Sequence, residues 1–312
     1  MKPISKRLSI QQPAVSLIRG ALLCALCMTA NAEQLGHVTT SKSYATPNSK
    51  VSTERIISTD SFVTELVTAL GQQERLVAID VTSRQPPGVD TLPNIGYHRN
   101  LSAEGLLSLR PTLVIGSEHI GPPNVVKALA AANIPLIRLP SAQSIVQLES
   151  NINTLALELA QPNEGSELVQ NLHAAQQKLD ALSLSLSFKK KRVAFLLSMS
   201  PDKLRLAGLG TSGQAFIQLL GATNVANFEN YQNVSAESLL AMQADIILVA
   251  GRSPSTAVES LLSAHPVIAF SAAAKSKAIL SLDGSSLVAG LSLVAVEEAL
   301  RILQKLSINT SP

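Results

Sequence analysis

The sequence predicts an α/β protein: two similar α/β lobes joined by one long connecting helix, with a ligand cleft between them. Three observations support this fold class. From Val51 onward, short apolar runs alternate with amphipathic stretches. A segment of the first half is repeated in the second half, and a long, largely polar helix is predicted near the middle. Alternating strands and helices are typical of layered folds with mainly parallel sheets.

The apolar runs predict strands, and the stretches of helical period predict helices. The predicted strands are 55–58, 76–79, 112–115, 136–139, 192–197 and 245–250. The predicted helices are 61–70, 102–108, 123–132, 164–184, 213–220, 236–242 and 287–306. The helix at 164–184 is long and polar, so we expect it to join the lobes rather than lie buried in one of them.

An internal repeat supports the two lobes. Residues 101–115 read LSAEGLLSLRPTLVI and residues 234–248 read VSAESLLAMQADIIL. Each copy begins with serine before glutamate, as at a helix start, and continues into a buried strand. The alternative is that this string is only common helix-start chemistry. We predict lobes at 51–160 and 188–312, with the connecting helix at 161–187. Two lobes joined in this way leave a cleft between them, and ligand sites prefer clefts between domains.

Residues 1–32 have the three regions of a secretory signal peptide. Basic residues come first, an apolar run follows at 21–28, and Ala30-Asn31-Ala32 forms a cleavage site. That run is too short for a permanent bilayer anchor. The alternative is a buried N-terminal helix. We expect export to the periplasm, with residues 33–50 as a flexible leader.

Export changes the composition. The whole chain has 25 basic and 22 acidic residues, a net charge of +3. Four basic residues lie in the signal peptide, so the mature chain has 21 basic and 22 acidic residues. Both cysteines, Cys24 and Cys27, leave with it, which excludes a disulfide and a thiolate metal site. The slightly acidic balance argues against a nucleic-acid partner.

Catalytic motifs are mostly missing, so we expect no enzyme. The sequence contains no H-E-x-x-H, G-x-S-x-G or P-loop string, and its five histidines are scattered. Residues 208–213 match G-x-G-x-x-G, but Gly208 lies eleven positions beyond Leu197, the end of the predicted strand. A dinucleotide site needs that glycine at the strand-to-helix turn. We predict a glycine-rich loop that enters the next helix; an exported nucleotide-using enzyme remains a remote alternative.

Tyr97 is the most informative candidate ligand. It is one of three tyrosines and precedes a predicted helix start, at the edge where the first lobe would face the cleft. A phenolate oxygen is a hard anionic ligand suited to ferric iron, and tyrosinate is a known axial ligand of haem. Arg99 could lie on the same side of an extended loop and favour the phenolate. The alternative is a partly buried tyrosine whose hydroxyl is hydrogen-bonded.

From Arg55 onward the chain resembles the periplasmic haem-binding proteins that feed ATP-driven haem importers. The resemblance rests on LPNIGYHRNLSAEGLLSLRPTLVIGSE at 92–118, on ALG and RLV within 69–77, and on the repeat at 234–249. It implies that Tyr97 is the axial ligand of haem b (iron protoporphyrin IX), supported by Arg99. It also implies a monomer that delivers haem to an inner-membrane ABC permease dimer, with an outer-membrane haem receptor upstream. A ferric-siderophore or cobalamin binder of the same fold is the nearer alternative.

The resemblance also suggests further cleft residues. Met199 stands where relatives that hold two stacked haems carry a histidine, which favours one haem. Met199 is expected to pack on the distal face or to ligate reduced iron weakly, with core packing as the alternative. Tyr231 is a further candidate to line the cleft, and His119 is a reserve iron ligand. Lys203 and Arg205 are candidates to pair with the haem propionates.

Glu104 and Glu237 occupy equivalent positions in the two repeats. In the wider family, one glutamate in each lobe at this position docks on arginines of the membrane permease. A carboxylate duplicated across a pseudo-twofold axis suits a pseudo-symmetric dimer of permease subunits. The alternative is that both residues only favour their helix N-termini.

Overall fold

A computed structural model describes residues 54–84, 87–198, 203–251, 253–288 and 290–310. These residues belong to one compact unit. The predicted signal peptide, the predicted leader and Met199 lie outside them. Within the described ranges, every helix is too short or too polar to cross a bilayer.

The first sheet contains four parallel strands in the order β2-β1-β3-β4. Its strands are β1 (Ile56–Ser58), β2 (Leu76–Ile79), β3 (Leu113–Ser117) and β4 (Leu136–Leu139). Its helices are α1 (Ser61–Ala69), α2 (Ala103–Ser108), α3 (Pro123–Ala131) and α4 (Ile145–Glu158). β1 and β3 are buried throughout because helices cover both faces of a parallel sheet. The four predicted strands and three predicted helices are confirmed; α4 was not predicted.

The second sheet has six strands, in the order β10-β9-β5-β6-β8, with β7 paired to β5. Its strands are β5 (Arg192–Ser198), β6 (Leu204–Ala207), β7 (Thr223–Asn224), β8 (Tyr231–Val234), β9 (Ile246–Gly251) and β10 (Ile279–Asp283). Its helices are α6 (Ser212–Leu219), α7 (Ala236–Ala241), α8 (Pro254–Ala264), α9 (Ala272–Lys275) and α10 (Leu293–Thr310). β6 runs antiparallel to β5 and β8, whereas the pairs of β5 with β9 and of β9 with β10 are parallel. The expectation of mainly parallel sheets therefore fails at the β6–β8 edge.

The predicted connecting helix is α5 (Pro162–Ser185). Its buried residues, Gly165, Leu172 and Leu179, recur every seven positions and form one narrow apolar stripe. A side chain at Gly165 would collide with Ala156, so glycine permits the close approach of α4 to α5. Further apolar residues beside this stripe are partly buried against the same core, whereas the exposed face of α5 is largely polar, as expected for a helix between lobes.

The two copies of the repeat have the same local structure. α2 begins at 103 and α7 at 236, while β3 begins at 113 and β9 at 246, so the offset of 133 residues is kept. The side chain of Ser102 accepts a hydrogen bond from Gly105 N at 3.1 Å, and that of Ser235 accepts one from Ser238 N at 3.1 Å. Each serine therefore caps its helix, as predicted.

The glycine-rich segment 208–213 begins at a strand end, contrary to the prediction. Gly208 directly follows β6, a strand that was not predicted. A side chain on Gly208 would collide with the carbonyl of Phe228 and lie 2.6 Å from that of Asn230, so close backbone packing requires this glycine. β6 belongs to an antiparallel pair, unlike the parallel strand of a dinucleotide turn. The loop does enter α6, with Thr211 as its N-cap.

We call the first sheet with α1–α4 the first lobe, and the second sheet with α6–α10 the second lobe. Besides α5, hydrogen bonds join the described residues of the two lobes, three of them as follows. Ser61 Oγ donates to Ser285 O at 2.9 Å, and Leu291 N donates to Ala142 O at 2.7 Å. The third runs from Val294 N, in the first turn of α10, to the buried Glu65 carboxylate on α1. The domain boundaries given above stay predictions.

Candidate functional site

A cavity of about 410 Å³ lies between the lobes. The second lobe contributes the carboxyl ends of β5 and β9, and ligands of α/β folds bind beyond such strand ends. Apolar side chains form much of its wall: Val81, Phe195, Leu197, Leu287 and Val288. Longer polar side chains on the cavity come from both lobes: Arg84, Tyr97, Arg205 and Tyr231. The described part of the cavity wall therefore combines apolar surface with two guanidinium groups and two phenols.

The backbone of the first lobe fixes the loop that carries Tyr97. Gly96, with a φ of 89°, adopts a conformation that side chains disfavour, and its carbonyl accepts from Val81 N at 3.0 Å. The Tyr97 carbonyl accepts from Asn100 N at 2.7 Å, and the His98 carbonyl accepts from Gly121 N at 2.9 Å. The Tyr97 residue is 43% exposed and lines the cavity. This loop therefore presents the Tyr97 phenol to the cavity, and its role as an iron ligand stays a prediction.

A buried polar cluster lies under the Tyr97 loop. His98 is completely buried, and its Nδ1 lies 3.3 Å from Asp60 Oδ1 and 3.2 Å from Asp80 Oδ2. Ser117 N donates to Asp60 Oδ2 at 2.6 Å, and Ser83 Oγ donates to Asp80 Oδ1 at 2.8 Å. Burial raises the pKa of Asp60 to about 6, against the opposing effect of His98. The cluster collects polar groups from the carboxyl ends of β1, β2 and β3.

Tyr231 lies on the second-lobe side of the cavity. Its hydroxyl accepts a hydrogen bond from Gly213 N at 3.2 Å and lies 3.1 Å from Ser212 Oγ. The Arg205 guanidinium carbon lies 5.6 Å from the centre of its ring, within cation–π range. Burial raises the pKa of Tyr231, although these hydrogen bonds oppose the rise. Tyr231 is therefore a protonated phenol tied to the start of α6, and direct contact with ligand stays a prediction.

Three predicted site residues lie away from this cavity. Arg99 is exposed and is not among the residues that line it. His119 is half-buried, and its Nε2 lies 3.1 Å from Ser141 Oγ. Burial lowers the pKa of His119, and the charge of Arg99 adds to this. Lys203 borders a separate small pocket beside Leu261. Met199 is not described, and the roles assigned to these residues stay predictions.

Arg84 was not identified from the sequence. It lies five residues after β2 and lines the cavity from the first lobe, whereas Arg205 lines it from the second. No pattern marks an isolated arginine in a loop, so only the fold brings these two cations to one cavity. Among the described residues, no group of three or more His, Cys, Asp or Glu side chains could hold a metal ion.

Solved structures with this architecture include several binding proteins. The chain is 38% identical to the periplasmic haem-binding protein HutB of Vibrio cholerae, with a TM-score of 0.72 over 81% of this chain and 98% of that one. It is 30% identical to a periplasmic haem-binding protein from Pseudomonas aeruginosa, with a TM-score of 0.75 over 81% and 92%. A vitamin B12-binding protein of Pectobacterium carotovorum is 24% identical over 205 residues, which are 64% of this chain and 71% of that protein.

The family model described as periplasmic binding protein matches residues 56–285. That match begins at β1 and ends just after β10, so it takes in both sheets, α5 and most of the cavity wall. A cavity between two α/β lobes, together with this match over most of the chain, establishes that the chain belongs to the periplasmic binding protein family.

Proposed function

We propose that this protein binds haem in the cavity between its lobes and delivers it to an inner-membrane ABC importer. The observation that carries the proposal is the Tyr97 phenol, placed by a fixed loop at an apolar cavity. The haem-binding proteins named above share 30% and 38% of their residues with the chain and support the same ligand. We further propose that residues 1–32 direct export to the periplasm and that the protein is a monomeric carrier without catalysis.

The chemistry of the cavity fits iron protoporphyrin IX. A macrocycle supplies four ligands to its iron, so the protein needs to add only an axial one. Tyr97 would provide an anionic oxygen, which favours the ferric state. The apolar wall suits the face of the porphyrin, and Arg84 and Arg205 suit the two propionates, since guanidinium pairs well with carboxylate. Arg99 stays a predicted partner of the Tyr97 oxygen, and Met199 in place of histidine favours one haem.

A haemin titration of the mature protein tests this function. We expect a shifted Soret band, a high-spin ferric tyrosinate spectrum and saturation at one equivalent. Aquocobalamin and a ferric siderophore, added as competitors, should leave the haem spectrum unchanged. Binding of either competitor without any haemin-induced spectral change would contradict the proposal and select the alternative ligand.

We also propose that Glu104 and Glu237 dock the protein on the permease. Both are exposed in the first turn of short helices that the repeat makes equivalent. Hydrogen bonds from its own backbone N–H and from Ser235 lower the pKa of Glu237, so this docking group stays anionic at neutral pH. Opposite charges across an interface mainly set orientation and association rate.

Reversing both charges, Glu104→Arg with Glu237→Arg, should leave haemin affinity intact while haem uptake by cells falls at least about tenfold, because two arginines would then face permease arginines. The matched control is Glu158→Arg with Glu259→Arg, which reverses one exposed carboxylate on each lobe at other helices. Undiminished uptake with the first pair, or an equal loss with the control pair, would contradict the docking assignment.

A further inference from the structure

We propose that His98 is a positioning residue of the haem site. Its imidazole lies between Asp60 and Asp80 and fixes the position of the Tyr97 phenol in the cavity. This inference rests on the proposed haem-binding function. It concerns a residue that does not line the cavity and would not touch the haem.

Tyr97 and His98 are neighbours in the chain with different environments. Tyr97 lines the cavity, whereas His98 is completely buried in the first lobe. The centres of the two rings are 4.3 Å apart, so the imidazole is in contact with the phenol ring. A shift of the imidazole would therefore move both the backbone that carries Tyr97 and the surface on which its ring rests.

The two carboxylates that hold His98 are themselves fixed. Asp60 accepts from the backbone of Ser117 at the end of β3. Asp80 accepts from Ser83 Oγ at 2.8 Å, and Ser83 Oγ lies 2.8 Å from Thr64 Oγ1 on α1. The network thus ties the imidazole to three strands and one helix. A rigid support of this kind holds a ligand to its productive geometry.

The energetics of His98 also favour a positioning role over simple core filling. Its Nε2 is buried without a hydrogen-bond partner among the described residues. An unsatisfied buried polar atom lowers the stability of the folded protein, and an apolar side chain would avoid that loss. The imidazole keeps its place through Nδ1, the atom that faces both carboxylates. In the proposed role, His98 contributes a defined position of the Tyr97 loop rather than stability.

Two substitutions at His98 test the inference. His98→Leu removes the nitrogen that faces the carboxylates, and His98→Asn keeps a donor nitrogen near the position of Nδ1. We expect His98→Leu to weaken haemin binding by roughly 10- to 100-fold, as is typical when the support of a metal ligand is lost. We also expect a weakened iron–phenolate charge-transfer band and a shifted Fe–O(phenolate) vibration. His98→Asn should restore both signatures and most of the affinity.

The control is His173→Gln, which removes an exposed histidine that lies 2.9 Å from Glu149 at the surface; affinity and spectrum should not change. If the wild type itself shows no ferric phenolate signature, the proposed function fails. If it shows one and folded His98→Leu keeps the same affinity and signature, the positioning role is overturned. Equal losses in His98→Asn and His98→Leu would overturn the carboxylate anchor.

Where His98→Leu does not fold, as judged by circular dichroism, Asp80→Asn provides the same test. This substitution keeps the shape of the side chain and removes one of the two carboxylates. We expect it to perturb the Fe–O(phenolate) vibration and to reduce haemin affinity in the same direction as His98→Leu. An unchanged vibration and affinity in folded Asp80→Asn would overturn the inference.

Discussion

Tyr97→Phe is expected to weaken haemin binding by about 100-fold, or ~3 kcal/mol, and to abolish the ferric tyrosinate spectrum. The substitution removes one oxygen atom and keeps the ring that rests on His98. Binding that remains would come from the apolar wall and from the propionate pairs with Arg84 and Arg205. Optical titration measures the affinity, and the loss of the phenolate-to-iron charge-transfer band reports the loss of the ligand.

Tyr231→Phe is the matched comparison, because Tyr231 is a second phenol that lines the cavity. Its hydroxyl is already engaged with Gly213 N and Ser212 Oγ, and burial raises its pKa, which disfavours the phenolate. Tyr231→Phe should therefore keep the tyrosinate band. Loss of that band in Tyr231→Phe and its retention in Tyr97→Phe would contradict the assignment of the axial ligand.

β3 and β9, which were predicted, differ in their burial pattern from β8 and β10, which were missed. β3 and β9 are apolar and fully buried, so continuous apolar runs reveal them. β8 is half-exposed, short and at an edge, and β10 alternates buried and half-buried residues. In both segments polar residues interrupt the apolar ones, so no continuous apolar run marks them in the sequence. The prediction of helix 287–306 began six residues early because a 3-10 turn at Gly284–Leu287 precedes α10.

Some residues of the site can be recognised from a local sequence string, and others only from contacts between segments distant in the sequence. Tyr97 could be identified because its loop and helix start form one continuous string. Asp60 and Asp80 each follow a strand end, in the strings IISTD and LVAID, and this shared position is a signal that could have identified them. Parallel strands bring such carboxylates to one edge of a sheet, yet only the order β2-β1-β3 places both against His98. Pairing across the sheet is not encoded in a local pattern.

Glu65→Gln is expected to change how the stability of the apoprotein depends on pH. Burial raises the pKa of Glu65 to about 7, and the hydrogen bond from Val294 N opposes this only in part. Above about pH 4.5, Glu65 keeps its proton in the folded protein but loses it in the unfolded chain. The free energy of unfolding is therefore highest below that pH and falls as the pH rises toward 7. A shift of this size corresponds to roughly 3 kcal/mol.

Glutamine cannot ionise, and its amide oxygen can still accept from Val294 N at the start of α10. Urea unfolding at several pH values measures this difference. Between pH 5 and pH 8, the free energy of unfolding of Glu65→Gln should rise by about 3 kcal/mol relative to that of the wild type. Part of the decline remains in both proteins, because the pKa of Asp60 is also raised. Glu167→Gln, at an exposed position of α5, should follow the wild-type curve. If the free energies of unfolding of Glu65→Gln and the wild type changed with pH in parallel, the Glu65 carboxylate, which joins α1 to α10, would ionise without loss of stability. The hydrogen bond from Val294 N to Glu65 would then cap α10 without making the contact between the lobes depend on pH.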